Sequence, residues 1–398
     1  MKSHILHIAR EELCPQEHLC AVSPQGHGLC IGLPKETGEK EKRFVLTPEA
    51  VALLVGAGYR VIIESMAGIG INYSDFLYAE AGAEVAGRAD VFMADIVLKI
   101  SPLQPDEAVL LKPGAAVISM FQPQYQKLEV LQLLMQKKAV ALAFDKIRNE
   151  EDRCPFADCL DEIDGHAAIV VAAGLLTNLY GGKGILLGGI PGVAPAEVVV
   201  IGAGLGGRAA LRMARGLGAA VKLFDENISR LRTALDECGQ PLFTSNLHPH
   251  VLTNALRSAD VVIGTSCDMS CQLSEQMVQQ MKKGALLIDL CIDKGGCFET
   301  SLCPDKPKDA VFEKYGVLHY CLSSVGSAVA RTASMALSNL FVPILLDIGS
   351  CRSVGNMMKQ DVGFRDAAYV FNTKVVNRDM AQRFNLPYCD MSLFTGMF

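Results

Sequence analysis

The chain has 398 residues, of which half are hydrophobic and a fifth are charged, so it is long enough for two globular domains with full cores. Its net charge of −6, without long basic runs, argues against a nucleic-acid-binding protein. The fourteen cysteines show no second short-spaced pair beside Cys267 and Cys271, which favours reduced thiols in a cytoplasmic protein over a disulfide framework or a zinc site.

The start of the chain and its most apolar segment lack the patterns of a signal peptide or a membrane span. Residues 1–28 have no continuous apolar core and no small-residue cleavage site, so we interpret them as an N-terminal arm. The most apolar segment, residues 167–176, is too short to span a bilayer. We therefore expect neither a nucleic-acid partner nor a membrane partner.

Strand and helix signals alternate from residue 29 onward. Apolar runs predict strands at residues 29–33, 59–63, 95–101, 115–120 and 139–144. After the first of these, Thr47 and Pro48 are of the types that cap and open a helix, and the next apolar residues repeat at helical spacing. Five strands separated by helix-length segments predict a first α/β sheet.

The second half of the chain repeats this alternation. An apolar helix is predicted over residues 166–180, and a glycine-rich segment then leads into a β-branched strand at 197–201. Further strands are predicted at residues 220–224, 260–264, 285–291 and 317–321. A long helical pattern at residues 327–348 carries the chain back, so the first domain is predicted to be discontinuous.

The segment GAGLGG at residues 202–207 follows the strand at 197–201 directly, and a helical pattern and a second strand ending in Asp225 come next. Gly202 permits a tight turn, Gly204 lets the backbone approach a pyrophosphate, and Gly207 lets the helix pack on the strand. The helix N-terminus offers free N–H groups to phosphates. Asp225 can accept hydrogen bonds from both ribose hydroxyls and repels a 2′-phosphate, so the pattern predicts NAD rather than NADP.

These elements predict two Rossmann-like, doubly wound α/β domains with a cleft between them. We assign residues 29–160 and 331–398 to a substrate (catalytic) domain and residues 161–330 to an NAD-binding domain.

Several specific motifs lie along most of the chain. They are GLPKE at 32–36 with Arg43 and LTP at 46–48, LK at 98–99, LGGIPGV at 187–193, VVVIGAG at 198–204, ID at 288–289, IDKGGCFE at 292–299 and RTAS at 331–334. On these motifs, residues 29–348 resemble the family of alanine dehydrogenase and the proton-translocating transhydrogenase α-subunit, with the closer resemblance to alanine dehydrogenase.

The resemblance implies reversible oxidative deamination of L-alanine to pyruvate and ammonia, with hydride transfer to NAD, by a homo-oligomer. It aligns Arg43 with the arginine that holds the substrate carboxylate, and a guanidinium matches a carboxylate bidentately. It also aligns Asp293 with the aspartate beside the nicotinamide. The implied partners are a small amino acid and its 2-oxo acid.

Two other catalytic positions depart from the family pattern. The family's substrate lysine falls on Ser101, although Lys99 lies on the same strand face and could reach the same site. The family's catalytic histidine falls on Gln122, and an amide cannot shuttle a proton at neutral pH. His166 is a candidate replacement. We assign Arg43, Lys99, Gln122 and Asp293 as the catalytic group.

The cofactor side departs as well. Ser324 and Val325 stand where the family has an asparagine and an apolar residue, Asp161 replaces a serine, and Leu302 replaces an arginine. The loop at residues 265–273 is shorter than in the family. The predicted cofactor contacts are Gly202, Gly204, Gly207, Asp225, Arg230, Asp293 and Ser324, and no metal site is predicted.

Each catalytic assignment has a simpler alternative. Arg43 could form a surface ion pair, Asp293 could cap the turn at residues 295–296, Lys99 could be solvated and Gln122 could fill a loop. For the whole chain, the main alternative is an NAD-binding pseudoenzyme or sensor whose catalysis has decayed. A transhydrogenase-like subunit is disfavoured, and an enzyme for another small oxo acid stays open.

Overall fold

A computed structural model describes residues 28–38, 41–265, 272–303 and 310–395. The predicted N-terminal arm lies outside the described residues except for Gly28. Cys267, Cys271 and most of the loop at residues 265–273 also lie outside them.

The strands form two sheets. They are β1 (Cys30–Leu33), β2 (Arg60–Glu64), β3 (Glu84–Ala86), β4 (Ile96–Leu98), β5 (Ala116–Ser119), β6 (Val140–Ala143), β7 (Glu197–Ile201), β8 (Ala220–Phe224), β9 (Phe243–Ser245), β10 (Val261–Gly264), β11 (Leu286–Asp289), β12 (Val311–Lys314), β13 (Val317–Tyr320), β14 (Ala368–Phe371) and β15 (Lys374–Val375).

The α-helices connect these strands. They are α1 (Pro48–Gly56), α2 (Asp75–Glu80), α3 (Arg88–Phe92), α4 (Pro105–Leu110), α5 (Leu128–Gln136), α6 (Pro155–Leu175), α7 (Leu205–Gly216), α8 (Ile228–Cys238), α9 (Pro249–Ser258), α10 (Glu275–Val278), α11 (Ala330–Ser350), α12 (Val354–Gln360), α13 (Val362–Asp366), α14 (Arg378–Arg383) and α15 (Ser392–Thr395). Short 3₁₀ helices at Pro123–Tyr125, Ile292–Lys294 and Val325–Val329 lie near the site described below.

The first sheet has the order β15-β14-β6-β5-β4-β1-β2-β3, and the second has the order β12-β13-β11-β10-β7-β8-β9. Strands β1 to β6 are parallel, as are β7 to β11 with β13. The edge pairs β14–β15 and β12–β13 are antiparallel. The predicted fold class, with two α/β domains, is therefore confirmed. The first domain is discontinuous in sequence, as predicted, because β14 and β15 return the end of the chain to the first sheet.

The central parallel strands are buried, as strands must be when helices cover both faces of their sheet. Residues 198–201 of β7 and all of β10 and β11 are buried, as expected for β-branched and aliphatic runs between two helix layers. At the start of α1, Thr47 is the N-cap and accepts a hydrogen bond from the amide of Ala50, with Pro48 as the first helical residue. The predicted start of this helix is thus confirmed.

The long helices α6 and α11 contact each other, and α11 packs in the core of the first sheet while α6 packs in the core of the second. Helix α6 packs closely on α7, because a Cβ at Gly165 would clash with the carbonyl oxygen of Gly206. This contact places the first half of α6 beside the start of α7. Helix α6 begins eleven residues before the predicted start at His166, with Pro155 in its first turn.

One described helical segment, Val325–Ser350, is long and apolar enough to cross a membrane by length and composition. The sequence analysis predicted a long helix at residues 327–348 but weighed only residues 167–176 as a possible membrane span. Leu337, Phe341 and Leu345 of α11 are buried in the core beneath the first sheet, so this segment has the packing of a core helix.

The expectation of reduced thiols is wrong at Cys291, which is disulfide-bonded. The other described cysteines are thiols.

Candidate active site

The predicted dinucleotide-binding turn at residues 202–207, called the glycine corner below, has the backbone geometry that its sequence requires. Strand β7 ends at Ile201, Gly202 takes a φ of 103°, and α7 begins at Leu205 with Gly204 as its N-cap. A Cβ at Gly207 would clash with the carbonyl oxygen of Gly202, so only glycine fits there. A Cβ at Gly204 would meet no heavy atom within 4 Å, so the space in front of it is open to a ligand.

Asp225 follows β8 and is 5% exposed beside this corner. Its Oδ2 accepts a hydrogen bond from the amide of Ala203 at 2.6 Å, and its Oδ1 accepts one from the amide of Asn227 at 2.7 Å. A carboxylate has about four acceptor positions, so the fixed group can still accept from a bound hydroxyl. The guanidinium of Arg230 lies 3.9 Å from Oδ2 and is largely exposed.

A cavity of about 180 Å³ lies between the two domains. The predicted site residues Arg43, Gln122, Asp293 and Ser324 all line it. Lys99 and His166 are not among the lining residues. Five further charged residues line the cavity: Asp145, Lys146, Asp161, Asp164 and Lys294.

Arg43 is 2% exposed and is held by a carboxylate two residues before it. Its Nε and Nη2 donate to Oε1 and Oε2 of Glu41 at 2.8 and 2.7 Å. Glu41 and Asp164 raise the pKa of Arg43 against the effect of burial, so the guanidinium stays charged. This pair uses one edge of the guanidinium. On the Nη1–Nη2 edge, the hydrogen bond found among the described residues is the weak one from Nη2 to Sδ of Met120 at 3.9 Å, which a carboxylate can replace.

Lys99 lies one residue past β4 and is fully buried. Its Nζ donates to both carboxylate oxygens of buried Glu107 at 2.9 and 2.7 Å, and Nη2 of Arg88 donates to the same carboxylate at 2.6 Å. Beside it, the amides of Ile100 and Ser101 donate to the carboxylate of Glu36 at 2.6 and 3.3 Å. The structure therefore brings Lys99 to an internal ion pair and not to the cavity.

Gln122 lines the cavity with an unusual backbone conformation, at a φ of 22° and a ψ of 75°. Non-glycine residues reach positive φ at a cost of about 1–3 kcal/mol, and such residues cluster at functional sites. The backbone is fixed on both sides, because the amide of Phe121 donates to Asp145 at 2.7 Å and the carbonyl of Gln122 accepts from the amide of Tyr125 at 3.0 Å.

Asp293 lies in the 3₁₀ helix after β11, and Gly295 and Gly296 follow it with positive φ. The hydroxyl of Tyr125, from the first domain, donates to its Oδ1 at 3.2 Å. This hydrogen bond joins the two domains across the cavity. The sequence analysis missed Tyr125, since its partner is 168 residues away in the chain.

Ser324 is 8% exposed and lies at the start of the 3₁₀ helix Val325–Val329. Its Oγ is buried and has no hydrogen-bond partner among the described residues. Buried hydroxyls are normally satisfied, so a polar group of a bound molecule is the expected partner in this cavity.

Three acids of the cavity have raised pKa values because burial disfavours their charged form. Burial raises the pKa of Asp164 to about 6, although the charge of Arg43 acts in the opposite direction. Its Oδ1 accepts a hydrogen bond from the amide of Gly326 at 2.5 Å. The sequence analysis noted Asp161 only as a departure from the family's serine, and it missed Asp164. The signal that could have identified both is the occurrence of two acids three residues apart on an apolar helix.

Two family models match the two halves of the chain. The family model "Alanine dehydrogenase/PNT, N-terminal domain" matches residues 32–157, and "Alanine dehydrogenase/PNT, C-terminal domain" matches residues 168–378. The chain belongs to the alanine dehydrogenase/PNT family. The resemblance stated from its motifs is thereby confirmed.

Members of this family are similar over nearly the whole chain. The chain is 33% identical to an alanine dehydrogenase from Methanococcus maripaludis, over 90% of the chain and 98% of that protein. It is also 33% identical to an alanine dehydrogenase from Bacillus subtilis, over 89% of the chain and 96% of that protein.

Among solved structures, an L-alanine dehydrogenase matches with a TM-score of 0.83 and 29% identity, over 90% of the chain and 99% of that structure. A transhydrogenase from Sinorhizobium meliloti matches with a TM-score of 0.74, 24% identity, and coverage of 88% and 99%, which shows the shared fold. The family's fold thus extends over both domains and the cavity between them.

Proposed function

We propose that the chain is an NAD-dependent amino-acid dehydrogenase that converts L-alanine reversibly to pyruvate and ammonia. The observation that carries this proposal is Arg43, a buried guanidinium in the interdomain cavity with one edge fixed by Glu41 and the other available to a carboxylate. The similarity to proteins named alanine dehydrogenase supports the choice of substrate.

The glycine corner would hold the cofactor's pyrophosphate. The open space at Gly204 and the N-terminus of α7 suit a negatively charged group. Asp225 would accept hydrogen bonds from the adenosine ribose, which favours NAD, and Arg230 would lie near the same sugar. When bound, NAD accepts the hydride from the substrate's α-carbon.

Arg43 would bind the substrate carboxylate through its Nη1–Nη2 edge. Glu41 keeps the planar fork in one orientation, so little side-chain freedom is lost when the substrate binds. The carboxylate would then lie in the cavity that Gln122, Asp293 and Ser324 line.

The other polar residues would orient the reacting groups. The unpartnered Oγ of Ser324 would donate to or accept from the bound cofactor or substrate, and Asp293 would lie on the nicotinamide side. The amide of Gln122 can orient a water or a carbonyl. A catalytic role for Lys99 stays a prediction, because its amine reaches the substrate only if its ion pair with Glu107 opens.

Turnover is tested by mixing purified protein with alanine and NAD and following NADH absorbance. We expect turnover, and we expect Arg43→Ala to raise the KM for alanine by roughly 10–100-fold, the value of a charge-assisted hydrogen-bonded pair. Arg60→Ala is the matched control, because Arg60 pairs with Glu84 on the exposed surface. An unchanged KM in Arg43→Ala would exclude the carboxylate role.

The second candidate function is an NAD-binding protein without turnover, used as a sensor. Two observations favour it: Gln122 is not a proton-transfer group, and the ammonium of Lys99 is engaged by Glu107. Measurable NAD affinity with no turnover of alanine or another small amino acid would select this alternative. The cytoplasmic location and the homo-oligomer stay predictions.

A further inference from the structure

Deamination needs a group that moves protons between water and the substrate nitrogen. Water must add to an imino acid, and ammonia must then leave from the resulting carbinolamine. Among the described residues, no histidine lines the cavity, and the amide of Gln122 does not titrate. The titratable side chains that line the cavity are lysines and acids, and the acids include a group whose pKa lies near neutral pH.

We propose that Asp164 is this group, with one oxygen anchored by the amide of Gly326 and the other presented to the substrate bound at Arg43. The proposal rests on the proposed function and adds a catalytic residue to it.

The anchoring of Asp164 is tight. Gly326 donates to Oδ1 at 2.5 Å, and a Cβ at that glycine would lie 2.6 Å from the same oxygen, so the contact depends on glycine. The second oxygen, Oδ2, has no hydrogen-bond partner among the described residues, and the residue lines the cavity. One oxygen thus fixes the carboxyl group and the other can exchange a proton.

The remaining acids of the cavity are less suited. Asp145 accepts from the amide of Phe121, and Asp293 accepts from the hydroxyl of Tyr125. Asp161 is exposed. Arg43 acts on the charge of Asp164, whereas Lys146 and Lys294 act on the charges of Asp145 and Asp161. Asp164 is therefore the acid suited to act on a substrate bound at Arg43.

Charged and titratable groups on several elements affect the ionisation of Asp164. Arg43 favours its ionised form, whereas Glu41 and Asp161 oppose it, and the phenol of Tyr320 on β13 lies within electrostatic range. Burial is the largest of these influences, and it brings the pKa of Asp164 to about 6. A substrate carboxylate at Arg43 adds one more negative charge, so substrate binding must raise the pKa of Asp164 further and favour proton uptake.

The proton balance is complete with water as the co-reactant. A water oxygen forms a bond to the carbon of the protonated imine while the C=N π bond breaks and its electron pair moves to nitrogen; one O–H bond of the water breaks, and the proton passes to ionised Asp164. The carbinolamine nitrogen then takes the proton from Asp164, and the C–N bond breaks with its electron pair going to nitrogen. The hydroxyl proton leaves to water as the carbonyl forms, so Asp164 ends ionised as it began.

The test compares Asp164→Asn with Asp158→Asn in the full chain. Asparagine keeps an oxygen for the amide of Gly326 but cannot carry the proton. Asp158 is on the same helix and forms a surface ion pair with Arg153, so its variant controls for loss of an acid on α6. We expect Asp164→Asn to lower kcat by roughly 10²–10⁴-fold and to remove the acidic limb of the kcat pH profile, with NAD affinity unchanged.

A binding measurement gives a second readout without turnover. Calorimetry of pyruvate binding at pH 7, in two buffers of different ionisation enthalpy, should show proton uptake by the wild type and none by Asp164→Asn. The wild-type uptake can be measured even if the variant does not fold.

The outcomes distinguish a failure of the role of Asp164 from a failure of the proposed function. A wild type that turns over alanine while Asp164→Asn keeps the same kcat and pH profile overturns the role of Asp164 alone. Pyruvate binding without proton uptake by the wild type also overturns it. A wild type with no turnover overturns the proposed function, and the role of Asp164 with it.

Discussion

The two domains build their predicted site residues in different ways. On the side of the second domain, the glycine corner is made of backbone: a turn at Gly202, an open face at Gly204 and a close contact at Gly207. On the side of the first domain, the charged side chains are paired with one another, Arg43 with Glu41 and Lys99 with Glu107. A backbone site follows from a short stretch of sequence, whereas a side-chain site depends on which partners the fold supplies.

The largest expected effect concerns the ion pair of the first domain. Lys99→Met should lower the free energy of unfolding by about 3–5 kcal/mol, because it leaves the buried carboxylate of Glu107 with only Arg88 as its cationic partner. Chemical denaturation measures this change. The double variant Lys99→Met/Glu107→Gln should recover part of the loss, since it removes the uncompensated charge. A stable Lys99→Met variant that loses only activity would instead make Lys99 a functional residue.

An intermediate effect is expected at the glycine corner. Gly204→Val should weaken NAD binding by at least roughly tenfold, about 1.4 kcal/mol, because the new side chain fills the space that a pyrophosphate would take. Gly216→Val is the matched control, as a Cβ at this end of α7 also meets no heavy atom within 4 Å. Both variants should keep their thermal stability. Equal NAD affinities, measured by fluorescence or calorimetric titration, would contradict a cofactor role for the corner.

The smallest effect should appear in the pH dependence of stability. The pKa of Asp164 is raised in the folded chain, to about 6, so its favourable contribution is complete below pH 4 and is lost as the pH rises through 6. Because Asp164 is only partly buried by exposed area, Asp164→Asn should be more stable than the wild type at pH 7.5 by about 1 kcal/mol, and the difference should vanish near pH 4. Denaturation curves at the two pH values measure it, and a difference that does not depend on pH would mean that Asp164 is not buried as an acid.

The inner strands of both sheets could be predicted because each is an apolar run between glycine or proline signals. The missed strands include all four sheet edges, β3, β15, β9 and β12, together with β14. Edge strands pair on one side only, and those in this chain are short or partly exposed, as in the three residues of β9. Their sequences therefore lack the continuous apolar pattern of β7.

Residues of the candidate site could be predicted where they lie in a local motif. They could not be predicted where the fold brings together segments that are distant in the chain. Arg43 and Asp293 were found from local motifs, and both line the cavity. Tyr125 and Asp164 were missed, because their partners Asp293 and Gly326 are 168 and 162 residues away. Lys99 was expected to face the cavity from the period of its strand, but Glu107 on α4 takes up its ammonium instead.

The hydrogen bond from Tyr125 to Asp293 has a kinetic consequence, because it ties the two domains together beside the cavity that Asp293 lines. Any movement that opens the two domains at this point must separate the two side chains. A single neutral donor to a carboxylate contributes only about 1.5–3 kcal/mol, so thermal motion separates such a pair many times a second. The domains can thus rest closed and still exchange their contents quickly.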